Sequence, residues 1–273
     1  MGMVMFKRKI WVKPCPSTDP MIMDIQAATS TPDEVVPMHI NKVRFHPERY
    51  PVNDTYPFNL QAFHNTPGLA FETNITFFIG ENGSGKSTLL KAIARRCGIH
   101  IWEEERGRFG NNHLEEDLFK FIDVTWSNDK KPGAFFSSER YQHLAKIIDE
   151  WAISDPKLLD YFGGKSLMSQ SHGESFMAFF HSRYKIEGLY FMDEPETALS
   201  PRRQIKFVQL LMNQSRDGHA QFIIATHSPI LLSCSGATII SFDHQTLKTI
   251  AYDQTDYYLI YRDFLLNREK YLG

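Results

Sequence analysis

An α/β fold, with a mixed central sheet flanked by helices, is predicted by three observations. An apolar strand pattern over residues 71–79 runs into a glycine-rich loop at residues 80–88 and then into a helical pattern over residues 89–94. Strand-like and helix-like segments alternate from there onward, as layered sheet-and-helix folds require. With 273 residues, 42% of them apolar, the chain can fill one large domain or two small ones.

The elements follow in order. Residues 1–38 carry Pro14, Pro16, Pro20, Pro32 and Pro37, which block any long helix, so an extended N-terminal arm is expected ahead of a domain over 39–273. The first strand is read at residues 39–45. A Pro- and aromatic-rich loop then passes Tyr50, Tyr56 and Phe58. Residues 119–126 alternate like a half-exposed strand, and the turn at 128–133 leads into Ala134, Phe135 and Phe136, which suggests a hairpin. Helices are expected over 141–151, 175–184 and 202–213. Strands are expected at 189–192, 221–225, 238–242 and 249–252. No internal repeat or heptad run is visible, and fewer than a hundred residues separate Lys86 from Gly173, too few for a long coiled-coil arm and its return.

The loop at 80–88 fits G-x-x-x-x-G-K-[ST] at every required position, with Gly80, Glu81, Asn82, Gly83, Ser84, Gly85, Lys86, Ser87 and Thr88. Glycines let the backbone curl so that successive N–H groups face phosphate oxygens, and the following helix adds the positive end of its dipole. Lys86 is placed to reach the β- and γ-phosphates, and Ser87 to offer a hydroxyl to Mg2+. A plain Gly-Ser turn with a chance lysine is the bland alternative, weakened by the strand and helix on either side.

Two further segments complete this chemistry. Leu189, Tyr190, Phe191 and Met192 form an apolar run ending in Asp193 and Glu194. Asp193 suits magnesium, directly or through water. Glu194 suits acceptance of a proton from an attacking water. The second segment, 221–225, delivers Thr226 and His227 at a strand end, the edge at which open parallel sheets bind ligands. His227 would hydrogen-bond the γ-phosphate and hold the nucleophilic water. Alone, either segment reads as a strand ending in a polar turn, so both assignments depend on the glycine-rich loop.

The order of these three motifs, with Pro195 and Glu196 after the acids and Ser228 and Pro229 after the histidine, resembles the ABC-type ATPase superfamily of P-loop NTPases. More narrowly it is similar to the stand-alone AAA_21 and SMC/RecF-like ATPases, through Thr197, Ala198, Leu199, Ser200 and Pro201 and the ending over residues 257–265. The resemblance covers roughly residues 39–273. It implies an Mg-dependent ATPase with a small helical signature lobe inserted at about 99–185, whose signature motif completes the ATP site of a second copy. Gln170, Ser171, His172, Gly173 and Glu174 match that motif best, with Ser171 and the Gly173 backbone meeting the γ-phosphate in trans. Gln170 and His172 depart from the usual leucine and glycine. The same string reads as a helix start, Ser171 capping and Glu174 three residues on.

The resemblance also calls for a glutamine after the strand at 134–137, where either Glu139 or Gln142 stands, and for a loop-ending aspartate where this chain has Ser200. An adenine-stacking aromatic is open among Tyr50, Tyr56 and Phe58. The function it implies is a nucleotide-driven switch, two subunits closing head to tail around two ATP molecules, with DNA or an effector protein as the partner and DNA repair or defence against phage as its setting. A transporter nucleotide-binding subunit and a weakly hydrolysing ATP-gated scaffold are the alternatives.

Composition narrows the remaining classes. The net charge of −2 gives no general pull toward polyanions. Cys15, Cys97 and Cys234 are far apart, which suggests neither a disulfide framework nor a zinc site and fits a reducing cytoplasm. No apolar run approaches the roughly 20 residues of a membrane span. None of the 11 histidines stands in H-E-x-x-H spacing, which excludes the zinc-hydrolase motif.

Overall fold

Why the site residues meet is answered by strand order. In the computed structural model, which describes residues 38–101, 114–184 and 186–272, six strands form a sheet in the order β5-β6-β7-β3-β8-β9. They are β3 (Ile75–Ile79), β5 (Gly133–Ser137), β6 (Gly188–Asp193), β7 (Ala220–Ala225), β8 (Thr238–Ser241) and β9 (Lys248–Thr249). All neighbours are parallel except β8 and β9. The strand ends after Ile79, Asp193, Ala225 and Ser241 therefore share one edge. Register makes this tight, since Ala225 of β7 pairs with Phe78 on one side and Asp193 on the other.

A second sheet has the order β2-β1-β4, built from β1 (Ile40–Phe45), β2 (Gly68–Ala70) and β4 (Ile122–Trp126), all antiparallel. The hairpin expected from residues 119–126 and 134–136 is not formed. Leu118–Phe121 is a 3-10 turn, β4 pairs with β1 through Val43 and Val124, and β5 pairs with β6 through Phe135 and Phe191. Pairing with β6 buries Phe135 and Phe136 of β5, one in each core, and pairing with β1 buries Ile122 of β4.

The helices are α1 (Gln61–Asn65), α2 (Lys86–Arg96), α3 (Leu114–Asp117), α4 (Ser138–Ser154), α5 (His172–Arg183), α6 (Pro201–Gln214), α7 (Pro229–Leu232), α8 (Asp256–Leu266) and α9 (Arg268–Leu272). The expected strand over 71–79 begins only at Ile75, and that over 249–252 is the two-residue β9 followed by a 3-10 turn at Tyr252–Gln254. The described part of the range 99–185 holds helices α3, α4 and α5 together with strands β4 and β5. The arm at 1–38, Met38 apart, lies outside the described residues.

Strand residues alternate between two cores, as the two-residue pleat dictates. Phe78, Leu189, Phe191, Ile223 and Ala225 face α2 and the smaller sheet. Phe77, Tyr190, Met192, Phe222 and Ile224 face the other way, into a cluster with α4, α5 and α6. Burial on both faces is why these strands read as continuous apolar runs. The second cluster is dense in rings: Phe176 is fully buried, with Phe136 at 4.8 Å and Phe180 at 4.4 Å between centroids. This packing fixes α5 against the sheet.

Candidate active site

The glycine-rich loop leaves β3 and enters α2. Gly80, Gly83 and Gly85 have φ of 146°, 82° and 100°, the left-handed region that side-chain-bearing residues rarely adopt. At Gly85 a Cβ would also come within 2.7 Å of Leu60 Cδ1 and 2.8 Å of Phe63 Cζ. Glycine is thus required twice there, by backbone and by space. Lys86, 5% exposed, donates from Nζ to the carbonyls of Gly80 at 2.6 Å and Glu81 at 2.9 Å. The ammonium is folded onto its own loop, and burial lowers its pKa. Ser84 Oγ is buried in the loop with no hydrogen-bond partner among the described residues.

Ser87 Oγ donates to Asp193 Oδ1 at 2.7 Å. Burial raises the pKa of Asp193, against the Ser87 hydrogen bond, which lowers it. A hydroxyl and a carboxylate oxygen form a hard-oxygen pair of the kind magnesium takes alongside phosphate oxygens and waters. The residues present therefore fit that ion. Among the described residues no cluster of three His, Cys, Asp or Glu side chains offers an all-protein metal cage.

Glu194 follows β6 with φ 48° and ψ 54°, a left-handed conformation in a residue other than glycine. Its N–H is held by the Ala225 carbonyl at 2.9 Å. Strain of this kind costs on the order of 1–3 kcal/mol and clusters at functional sites. Glu194 Oε1 lies 3.5 Å from His227 Nε2. The His227 backbone N–H donates to Glu196 Oε1 at 2.6 Å, and burial lowers the imidazole pKa, helped by the nearby Lys86 charge. Lys86, Ser87, Asp193, Glu194 and His227 are thus brought to one sheet edge.

Two neighbours of the loop carried no role in the sequence. Asp243, just past β8, accepts the Glu81 N–H at 2.7 Å. Tyr257, at the start of α8, reaches both Gly80 O at 3.0 Å and His227 Nδ1 at 2.6 Å. An acid after the strand at 238–242 was the one local signal for Asp243; Tyr257 had none beyond its place in the ending over 257–265.

The other candidates separate. Ser171 caps α5 in a capping box with Glu174, donating to Oε2 at 2.7 Å, as the bland reading of that string expects. Arg203 of α6 donates to Ser171 Oγ at 3.3 Å and pairs with Glu174 at 3.1 Å. A Cβ at Gly173 would stand 2.7 Å from Arg203 Nη1 and 3.1 Å from Ala198 O, so this segment abuts the turn that follows Glu194. Phe58 is fully buried, and Tyr50 packs on it with its hydroxyl on Phe63 O, so both are packing residues. Tyr56, hydrogen-bonded to Thr88 Oγ1 at 2.6 Å, stands beside the loop helix. Glu139 and Gln142 are exposed on α4, whose strand ends beside Asp193. Ser200 is the N-cap of α6.

Comparison with known proteins adds to this geometry. The model of AAA_21, an AAA-domain family whose description names the AbiEii toxin of type IV toxin–antitoxin systems, matches residues 169–233, and that of AAA_23, also an AAA domain, matches residues 58–133. Both family models describe AAA domains, and neither spans half of the chain. The matched segments hold the glycine-rich loop in one case and Ser171, Gly173, both acids and His227 in the other.

Similar curated proteins are the phosphate import ATP-binding protein PstB of Bacillus cereus, 28% identical over 184 residues, and the energy-coupling factor transporter ATP-binding protein EcfA2 of Mesoplasma florum, 23% identical over 201 residues. The first match covers 58% of this chain and 65% of the relative, the second 66% and 62%. The chain thus spans less than two thirds of the length of either. Among solved structures, cbiO1 of Clostridium perfringens, part of the ABC transporter complex cbiONQ, aligns over 85% of this chain and 97% of its own, at 15% identity and a TM-score of 0.49. The SMC head domain of Thermotoga maritima aligns over 78% and 99%, at 14% identity and a TM-score of 0.45.

Proposed function

We propose that this chain binds and hydrolyses ATP with Mg2+, and that two copies close head to tail over two nucleotides to form a conformational switch. The observation that carries the reading is the Ser87–Asp193 hydrogen bond at 2.7 Å, with Glu194 and His227 beside it at the same sheet edge. When bound, magnesium neutralises phosphate charge and orients the transferring group. Lys86 exchanges its two loop carbonyls for β- and γ-phosphate oxygens. Glu194, held in place by its strained backbone, accepts the proton of the attacking water, and His227 helps position that water. The loop amides, Lys86, Ser84, Ser87 and Thr88 bind; Glu194 and His227 act on the water.

Ser171 and Gly173 are assigned to the nucleotide of the second copy. Within one chain they meet Arg203 and Glu174 at the start of α5, and the positive end of a 12-residue helix suits a phosphate. Their contact with the turn after Glu194 gives a route by which closure is felt at the catalytic acid. Adenine is assigned to Tyr56, since Tyr50 and Phe58 are committed to packing.

The deciding experiment is steady-state phosphate release by the wild-type chain and by Glu194→Gln, with and without Mg2+ and DNA. Magnesium-dependent turnover lost in the variant supports the reading. Tight ATP binding with no turnover under any condition supports an ATP-gated scaffold instead. Stimulation by DNA makes DNA the load of the switch, as a role in repair or defence requires. The transporter reading is favoured by the names of the relatives at 28% and 23% identity. The aromatic and apolar run over 175–180, where a transporter subunit is expected to carry a basic helix after the signature, speaks against it, since Phe176 and Phe180 are core. Co-purification with an integral membrane protein would establish it.

A further inference from the structure

The Tyr257 hydroxyl sits between two groups of the candidate site, and its single proton decides which nitrogen of His227 is free. Its oxygen lies 3.0 Å from Gly80 O and 2.6 Å from His227 Nδ1. A carbonyl oxygen only accepts, so a phenol that gave its proton to Nδ1 would press its lone pairs against those of Gly80 O. With the proton directed to Gly80 O, the phenol oxygen accepts from Nδ1–H, and both contacts are attractive. Nε2 is then left without a proton in the neutral ring.

Nε2 is buried, has no hydrogen-bond partner among the described residues, and lies 3.5 Å from Glu194 Oε1. A bare imidazole nitrogen and a carboxylate facing each other are two acceptors with nothing to share. A water molecule has two protons to satisfy both. We infer that Tyr257 is a positioning residue that holds His227 as the Nδ1–H tautomer, so that Nε2 and Glu194 together grip the attacking water.

The arrangement is rigidly supported. Tyr257 is half-buried at the first turn of α8, whose N-cap Thr255 is fully buried and accepts the Tyr258 N–H at 3.2 Å. The two rings meet edge to face, with centroids 5.4 Å apart. Burial pushes the phenol up to about 12, so it keeps its proton at neutral pH. Gly80 O also receives Lys86 Nζ at 2.6 Å, so removing the phenol leaves that carbonyl partnered.

The inference rests on the ATPase reading for the role of the water, but the tautomer is measurable without nucleotide. Ring nitrogen NMR of the ligand-free wild type, with the His227 signal assigned by its absence in His227→Gln, is expected to show Nδ1 protonated and Nε2 bare. Tyr257→Phe is expected to move the ring toward the Nε2–H form and to lower kcat on the order of tenfold or more, with KM for ATP unchanged. An Nε2–H tautomer in the wild type, or Tyr257→Phe with wild-type kcat, overturns the inference. If the wild type hydrolyses no ATP, the functional reading fails, while the spectrum still decides the tautomer. A Tyr257→Phe chain that does not fold leaves the wild-type spectrum as the deciding result.

Discussion

Ser87 and Asp193 stand 106 residues apart in sequence and 2.7 Å apart in space. Between them lie the whole of α3, α4 and α5 and two strands, and only the order β6-β7-β3 closes that distance. If this pair holds magnesium, Ser87→Ala and Asp193→Asn should each lower Mg-dependent turnover on the order of 100-fold, while affinity for ATP in the presence of a chelator changes little. Titration of a fluorescent ATP analogue with and without Mg2+, beside turnover, reads both effects.

Lys86 makes its present bonds to the Gly80 and Glu81 carbonyls with an ammonium that burial disfavours. Lys86→Ala should therefore cost the ligand-free fold little and cost ATP affinity heavily, about tenfold or more, since bonds from charged donors are worth about 1.5–3 kcal/mol. Calorimetric binding and thermal unfolding of the same sample check the two halves. A large loss of stability with unchanged affinity would contradict this.

The ring cluster around Phe176 ties α5 to the sheet, with Phe136, Tyr141, Phe180 and Phe207 all within 6 Å of it between centroids. Phe176→Ala should destabilise the fold by about 3–5 kcal/mol, the range for emptying a buried aromatic site. Denaturant unfolding measures it, and a cost below about 1 kcal/mol would show that this core collapses into the gap.

His39 supplies a pH dependence away from the site. Burial lowers its pKa, against the His219 carbonyl, which accepts from Nε2 at 3.4 Å; Glu187, Lys131 and the His219 ring are the charged or titratable groups around it. Below about pH 6.5 the unfolded chain takes up a proton that the folded chain resists. This contribution is therefore present above that pH and lost as pH falls toward the lowered folded value. His39→Gln should flatten the fall in unfolding free energy below about pH 6.5, where each such proton contributes up to about 1.4 kcal/mol per pH unit.

How much of this was legible in the sequence depended on whether the signal was local. The glycine-rich loop was legible because its chemistry needs glycines and a lysine at fixed spacing, and the strands ending at Asp193 and Ala225 because burial on both faces makes an unbroken apolar run. The hairpin failed because alternation over residues 119–126 specifies a half-buried strand without naming its partner. Val43 and Phe191 won the two segments for different sheets. Tyr257 and Asp243 were illegible for a related reason, since their meaning comes from which sheet edge they reach. Ser171 was legible as a helix cap; whether it also serves a second copy is a question of assembly.

That question carries the central claim, that the loop at residues 80–88 is half of a composite site. Light scattering of Glu194→Gln measures it most directly, by following molar mass with and without Mg-ATP. A 31.6-kDa species is expected without nucleotide and twice that mass with it. A monomer at saturating Mg-ATP, in a variant shown to retain the nucleotide, would contradict it.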